Sequence, residues 1–239
     1  MRIENVNVYG LAESIVASSF PMLERPMSEE EFKDNVDMVE CYLDLCPTIE
    51  TMLDGAKIAD KINDVLDDLG VNFEEDRQAI ISAYKHYRRV KNLGGAKAGS
   101  GHDCFAKGVV IQLNLTATHV FLMQFMRYHF QDTISSMSKM HRLIRMELEE
   151  VCHDYVDDRL LNIVREKIKE YHADPTPKNF ERIVMNAPLG LELTSRVELN
   201  FLQLKSMYEQ RKNHKMTEWH IFLDELLEKV PDFKLLNLI

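Results

Sequence analysis

The sequence predicts an α+β fold in which helices dominate and a small mixed or antiparallel sheet packs against them. Three observations carry this prediction. Apolar residues recur at helical spacing in most long windows between residues 29 and 229. Two stretches, residues 2–8 and 109–115, instead alternate apolar and polar side chains, which sorts them onto opposite faces of a strand. No internal repeat or low-complexity tract interrupts the chain. The expectation is a single domain over residues 1–239 with about seven helices and two to four strands.

Residues 2–8, Arg-Ile-Glu-Asn-Val-Asn-Val, read as an edge-capable strand. An acidic, helix-prone segment runs from about Glu29 to Leu45, and Pro47 punctuates it. From Met52 to Leu69 the residues Ile58, Ile62, Val65, Leu66 and Leu69 keep helical spacing, and Gly70 stands where a C-terminal cap belongs. Asn72 and Glu75 have the spacing of a capping box for the next helix. That helix carries Ile80, Ile81, Tyr84, Tyr87 and Val90 on one side, and Gly94-Gly95 ends it. Residues 93–103 form a Gly-rich loop without the Walker or Rossmann pattern; it is either a flexible connector or a backbone cradle for phosphate. Val109, Ile111, Leu113 and Leu115 mark a strand, and helix resumes from Thr118 to about Phe130. A long amphipathic helix spans about Asp154 to His172, with Val156, Leu160, Ile163, Val164, Ile168 and Tyr171 as its apolar stripe. Pro175 and Pro177 break it. Helices near Glu192–Arg211 and Thr217–Lys229 complete the chain.

The formal charge of -10 argues against binding a nucleic-acid polymer, which needs a basic surface. No run approaches the roughly 18 apolar residues of a membrane span, so no membrane is expected. The N-terminus lacks a secretory apolar region. Cys41, Cys46, Cys104 and Cys152 match no zinc spacing, and the nine histidines include no helical His-x3-His and no His/Cys cluster. No metal is expected, and the reading is a cytoplasmic protein with reduced thiols.

Against this acidic background, residues 127–145 hold four Lys/Arg and two His against one acid, Asp132. A basic island in an acidic chain fits a small anionic ligand. Gln124 and Arg127 are three apart on the expected helix, so they share a face; an amide beside a guanidinium suits a pyrimidine edge with its phosphate, or else a solvated surface. Ser135, Ser136 and Ser138 lie close to Lys139, His141 and Arg142. No acid pairs with His141 to make a nucleophilic triad, so hydroxyls donating to phosphate are the better use. Arg182, Arg196, Asn200, Lys205 and Arg211 form a second polar series, with Arg196 and Asn200 four apart on the expected helix.

Read in order, these pieces resemble the flavin-dependent thymidylate synthases. That family has a Gly-His loop before a strand, then Gln-x-x-Arg-His-Arg, a serine-containing run, and later Asn-x-Arg-x-x-x-Asn-Phe-Leu-x-Leu-Arg. This chain has Gly101-His102, then Gln124-Phe125-Met126-Arg127-Tyr128-His129, then Ser135 to Ser138. Arg182-Ile183-Val184-Met185 follows, and then Thr194-Ser195-Arg196-Val197-Glu198-Leu199-Asn200-Phe201-Leu202-Gln203-Leu204-Lys205. The match covers roughly residues 99–222 and leaves the helical segment at about 29–92 without a counterpart. The resemblance implies a fold like that of the thymidylate synthase-complementing proteins. It implies FAD contacts at His102, Arg127, His129, Arg196 and Asn200, and substrate contacts at Gln124, Ser138, Arg142, Arg182 and Lys205, with Arg211 as the alternative to Lys205. Ser138 and Arg127 would be the catalytic residues. The implied substrate is a pyrimidine deoxynucleotide, dUMP in the family, with NADPH and methylene-tetrahydrofolate as co-substrates and a homotetramer as the assembly. Three departures stand out. Arg-His-Arg is here Arg127-Tyr128-His129, the Asn-Glu before the family's serine is replaced by Ile134-Ser135 or Ser135-Ser136, and the terminal arginine is Lys205, which keeps charge but loses the bidentate fork.

Overall fold

The computed structural model describes residues 1–53, 58–97, 99–129 and 131–239. Phe130 and the side chains of Ile58 and His141, which the sequence singles out, lie outside that set. Among the described residues the order is β1 (Arg2–Tyr9), α1 (Leu11–Ala17), α2 (Glu29–Tyr42), α3 (Cys46–Leu53), α4 (Ile58–Asp68), α5 (Glu74–Gly94), β2 (Val110–Thr118), α6 (His119–Phe125), β3 (Asp132–Ser136), α7 (Lys139–Arg142), α8 (Leu148–Val151), α9 (Asp158–Ala173), α10 (Pro177–Met185), β4 (Glu192–Asn200), α11 (Phe201–Arg211), α12 (Thr217–Lys229) and α13 (Asp232–Leu235). The fold is α+β and helix-rich, as the sequence predicts. The chain divides into two compact units: residues 1–7, 111–199 and 207–229 in the first, and 8–110, 200–206 and 230–239 in the second.

The first unit holds a four-stranded antiparallel sheet in the order β1-β2-β4-β3. β1 is an edge strand, as its alternating, largely polar sequence suggests. Interior β2 buries Ile111, Leu113 and Leu115 completely, a direct consequence of period two. β4 corrects the sequence reading, which made residues 192–200 helical. Leu193, Ser195, Val197 and Leu199 are buried and their neighbours half-buried, the pattern of a strand. A spacing of four, as in Arg196 and Asn200, is two strand repeats or about one helical turn, so it cannot discriminate. β3 pairs with β4, matching Ser135 with Arg196 and Ser136 with Ser195, and the register shifts between Thr133 and Ser135. α12 supplies Trp219 and Phe222 to an aromatic cluster with Phe121 and Phe125 of α6. α6 starts on Thr118, whose Oγ1 accepts from the Phe121 N–H, and it stops at Phe125, short of the expected Phe130. α9 packs on α10, but its buried side chains are Leu161 and Val164. Of the expected stripe Val164 is buried and Ile168 and Tyr171 are half-buried, while Leu160 and Ile163 are exposed and Leu161 takes the inward place instead.

The second unit is built around α5, against which α1, α2, α3 and α4 pack. Ile80, Tyr84, Tyr87 and Val90 are buried on it as the sequence predicts. Ser28 and Glu31 form a reciprocal capping box at the start of α2. Pro47 lies in the first turn of α3, a position where its missing N–H costs nothing. Gly70 adopts φ +73° after α4 and the Val71 N–H reaches the Leu66 carbonyl, the C-terminal arrangement that left-handed glycine allows. The expected Asn72–Glu75 box is absent. Phe73 occupies the N-cap with no side-chain cap, and three acids, Glu74, Glu75 and Asp76, oppose the helix dipole instead.

Candidate functional site

In the first unit the basic segment is presented outward. Arg127 and His129 lie in the turn after α6 and are exposed, as are Ser135 and Ser136 on β3 and Arg142 and Arg145 beyond it. Arg127 and Arg142 have no side-chain partner among the described residues, and Ser138 is half-buried beside them in sequence. Lys139 donates to His119 Nδ1 at 3.3 Å; burial, with this cation second, lowers the His119 pKa. Exposed Met126, Ile134, Met137 and Met140 are interleaved with these polar groups.

Because α6 ends at Phe125, Gln124 and Arg127 do not share a helix face. The Gln124 Oε1 accepts from the Trp219 indole N–H at 3.0 Å and from Arg211 at 3.5 Å. Arg211 also donates Nε to the Tyr128 hydroxyl at 2.7 Å, and its guanidinium lies 4.6 Å from the centre of the Trp219 ring. Gln124 and Arg211 are therefore brought together, around a buried tryptophan. Arg182 pairs with Glu170 at 2.7 Å, joining α10 to α9.

Arg196 projects along the sheet. Its Nη1 donates to the Asn5 carbonyl at 2.8 Å and to Asn114 Oδ1 at 3.4 Å, and its Nη2 to Gln112 Oε1 at 3.2 Å. One guanidinium thus bridges β4, β2 and β1, and Asn5 meets it at a positive φ of 51°.

In the second unit two expected ligands have internal work. Asn200 Oδ1 accepts from the Gln203 N–H at 3.0 Å, while Gln203 Oε1 accepts from the Asn200 N–H at 2.8 Å. This reciprocal pair caps α11. Lys205 is 5% exposed and donates to Asp103 Oδ2 at 2.8 Å, to the Gly94 carbonyl at 2.8 Å and to the Ala96 carbonyl at 2.9 Å. All three ammonium protons are committed. They hold the two ends of the Gly-rich loop, which therefore carries a structural clamp.

His102 is exposed and lines a cavity of about 560 Å³ within the second unit, with Gly101, Cys104, Phe105, Ser18, Met22 and Leu93 among its walls. Arg89 of α5 also lines it, a residue that the sequence reading passed over. The signal was there: the positions three and four residues away are Lys85, His86, Asn92 and Leu93, none of them acidic. Among the described residues no group of His, Cys, Asp and Glu is arranged to hold a metal ion, and no helix is long and apolar enough to cross a membrane.

No family model matches the sequence, and no curated protein matches it. The fold is similar to two crystal structures of the flavin-dependent thymidylate synthase ThyX from Helicobacter pylori, both containing FAD and dUMP. One has a TM-score of 0.52 at 11% identity and covers 66% of this chain and 84% of its own. The other has a TM-score of 0.51 at 11% identity and covers 64% and 81%. At that identity the likeness is one of fold.

Proposed function

We propose that this chain binds FAD and a pyrimidine deoxynucleotide and transfers a one-carbon unit, methyl or hydroxymethyl, to the pyrimidine ring. The observation that carries the reading is the fold, shared over 84% of a chain that was solved with FAD and dUMP. The exposed cations of residues 127–145 support it. Arg127 and Arg142 have no side-chain partner among the described residues, so phosphate oxygens meet either guanidinium fork at little cost. Ser138 adds a hydroxyl donor. Bound flavin would supply the redox chemistry, with NADPH as reductant and methylene-tetrahydrofolate as one-carbon donor. A cytoplasmic homotetramer, with sites shared between copies, belongs to the same reading.

The flavin set fits in part. His102, Arg127 and His129 are exposed, whereas Arg196 would exchange three acceptors and Asn200 a helix cap. That favours a second reading, a nucleotide-binding homologue that keeps the fold without the reaction. The commitments of Lys205 and the missing glutamate point the same way.

An absorbance spectrum of the purified protein across the flavin bands, repeated with dUMP and with dCMP, separates the two. A yellow protein whose bands move on adding either nucleotide supports the enzyme. Nucleotide binding by a protein that takes up no FAD on titration supports the second reading. A protein that binds neither overturns both. Arg127→Ala should weaken nucleotide binding about tenfold or more, the scale of a lost charge-assisted contact.

A further inference from the structure

The cavity beside Arg89 is built within the second unit, and its floor depends on close backbone approach. Gly10 has φ +72°, and a Cβ there would sit 2.6 Å from the Gly108 carbonyl oxygen; a Cβ on Gly108 would sit 2.4 Å from Ser14 Oγ. Those two glycines let α1 come down onto the segment before β2. The space that remains, about 560 Å³, has the size of a small-molecule site. Its walls are mainly apolar: Ala17, Pro21, Met22, Leu93 and Phe105.

Arg89 is the charged exception, and it is only partly satisfied. Its Nε donates to Ser18 Oγ at 3.0 Å, and its Nη2 meets the Ile15 carbonyl at 3.0 Å and His86 Nδ1 at 2.5 Å. Its Nη1 donors have no partner among the described residues, and no described carboxylate pairs with it. Its pKa is lowered by burial alone, and the same burial, with Arg89 beside it, holds His86 neutral with a pKa of about 4. The wall therefore presents one half-buried positive charge with two N–H groups to spare. A half-buried charge left unpaired is costly, and a carboxylate oxygen that accepts from the spare Nη1 supplies the missing counter-charge. Arg89 is the one Lys or Arg among the described lining residues, so it balances one negative charge and is a poor match for a doubly charged phosphate.

We propose that this cavity is a binding site for a small amphipathic monocarboxylate, with the carboxylate on Arg89 and the apolar body against Met22, Leu93 and Phe105. The site goes beyond the flavin and nucleotide reading: it shares with that reading only His102, while Arg89 and Ala17, the two residues tested, take no part in it. Calorimetric titration of the full chain with octanoate and with 2-naphthoate distinguishes an aliphatic from an aromatic body. Octanamide, of matching shape but uncharged, and inorganic phosphate are the controls. At least one carboxylate should bind, octanamide should bind about tenfold or more weakly than octanoate if the body is aliphatic, and saturating inorganic phosphate should leave the carboxylate's affinity unchanged. Arg89→Gln should weaken the carboxylate about tenfold and leave octanamide unchanged. Ala17→Trp, which fills the cavity, should abolish binding of every probe, and it serves as the test if Arg89→Gln does not fold. Failure of both carboxylates to bind, equal affinity for octanoate and octanamide, or full binding by a folded Ala17→Trp variant overturns the proposal. The flavin spectrum, recorded on the same samples, reports separately on the proposed activity.

Discussion

Lys205 and Arg89 are two cations inside the same unit, and they are treated in opposite ways. Lys205 has a carboxylate and two carbonyls within hydrogen-bond distance and is 5% exposed. Arg89 is half-buried, donates to a hydroxyl, a carbonyl and a neutral imidazole, and has no carboxylate among the described residues. A cation whose every donor is matched by its own chain is fixed in place and has nothing left for a ligand. A cation with donors to spare beside an apolar cavity has that capacity. Accounting for each donor thus separates structure from site where residue type alone does not.

The sharpest way to break the comparison is to remove one half of the Lys205–Asp103 pair. Lys205→Met leaves a carboxylate that is 1% exposed without its partner, together with two loop carbonyls. Loss of one partner of a buried pair costs about 3–5 kcal/mol. Urea unfolding should show this as a fall in midpoint. Asp103→Leu combined with Lys205→Met should recover part of the loss but not all, because Gly94 and Ala96 still lose their donor. A single Lys205→Met variant of unchanged stability would return the lysine to the list of ligand residues.

A second internal charge should behave like Lys205. Glu218 of α12 is 7% exposed, and its carboxylate accepts from the Thr118 N–H and from Thr118 Oγ1, holding the residue that caps α6. Glu218→Ala leaves both donors buried and should cost about 1–3 kcal/mol. Because α6 carries Phe121 and Phe125, near-ultraviolet circular dichroism of the aromatic cluster should report the same change.

His86 gives a smaller effect with a defined pH window. Its folded pKa is lowered to about 4 from an ordinary 6.5, mainly by burial and then by Arg89. Between those two values the unfolded chain binds a proton that the folded chain refuses. The contribution is therefore complete above about pH 6.5 and is lost as pH falls toward about 4. At pH 5 it should amount to about 1 kcal/mol relative to pH 7, less than the full shift implies because part of the ring meets solvent. Urea midpoints of the parent and of His86→Asn at both pH values isolate it: the difference between the two proteins should narrow at pH 5.

How far the sequence can be read depends on which interactions set each element. β2, α5 and α12 follow from local periodicity, and the structure places them as predicted. Gly70 was legible because a left-handed cap demands one residue type. β4 was not, because its polar residues stand four apart and fit both periods until Ser195 and Leu199 are counted as inward. α9's inward side was legible at Val164 and not at Leu161, since its apolar residues outnumber the positions that are buried. Among the site residues, Arg127, His129 and Arg142 are exposed in the basic segment, as a ligand contact requires. The roles of Asn200, Lys205 and Arg196 depend on partners from 3 to 191 residues away. Residue type and order carry no information about such partners.

Arg127→Ala tests the opposite end of the comparison, an exposed cation with no side-chain partner among the described residues. No described group loses a partner when this side chain is cut back, and it follows the last residue of α6 by two positions, where helix propensity no longer counts. Its effect on stability should stay within about 0.5 kcal/mol, the usual range for a surface position. Binding is where it should register. An unchanged urea midpoint together with about tenfold weaker nucleotide binding assigns the guanidinium to a ligand. A lowered midpoint would instead mean that Arg127 is structurally engaged, by a contact with another copy of the chain for instance, which dilution of the sample would then expose.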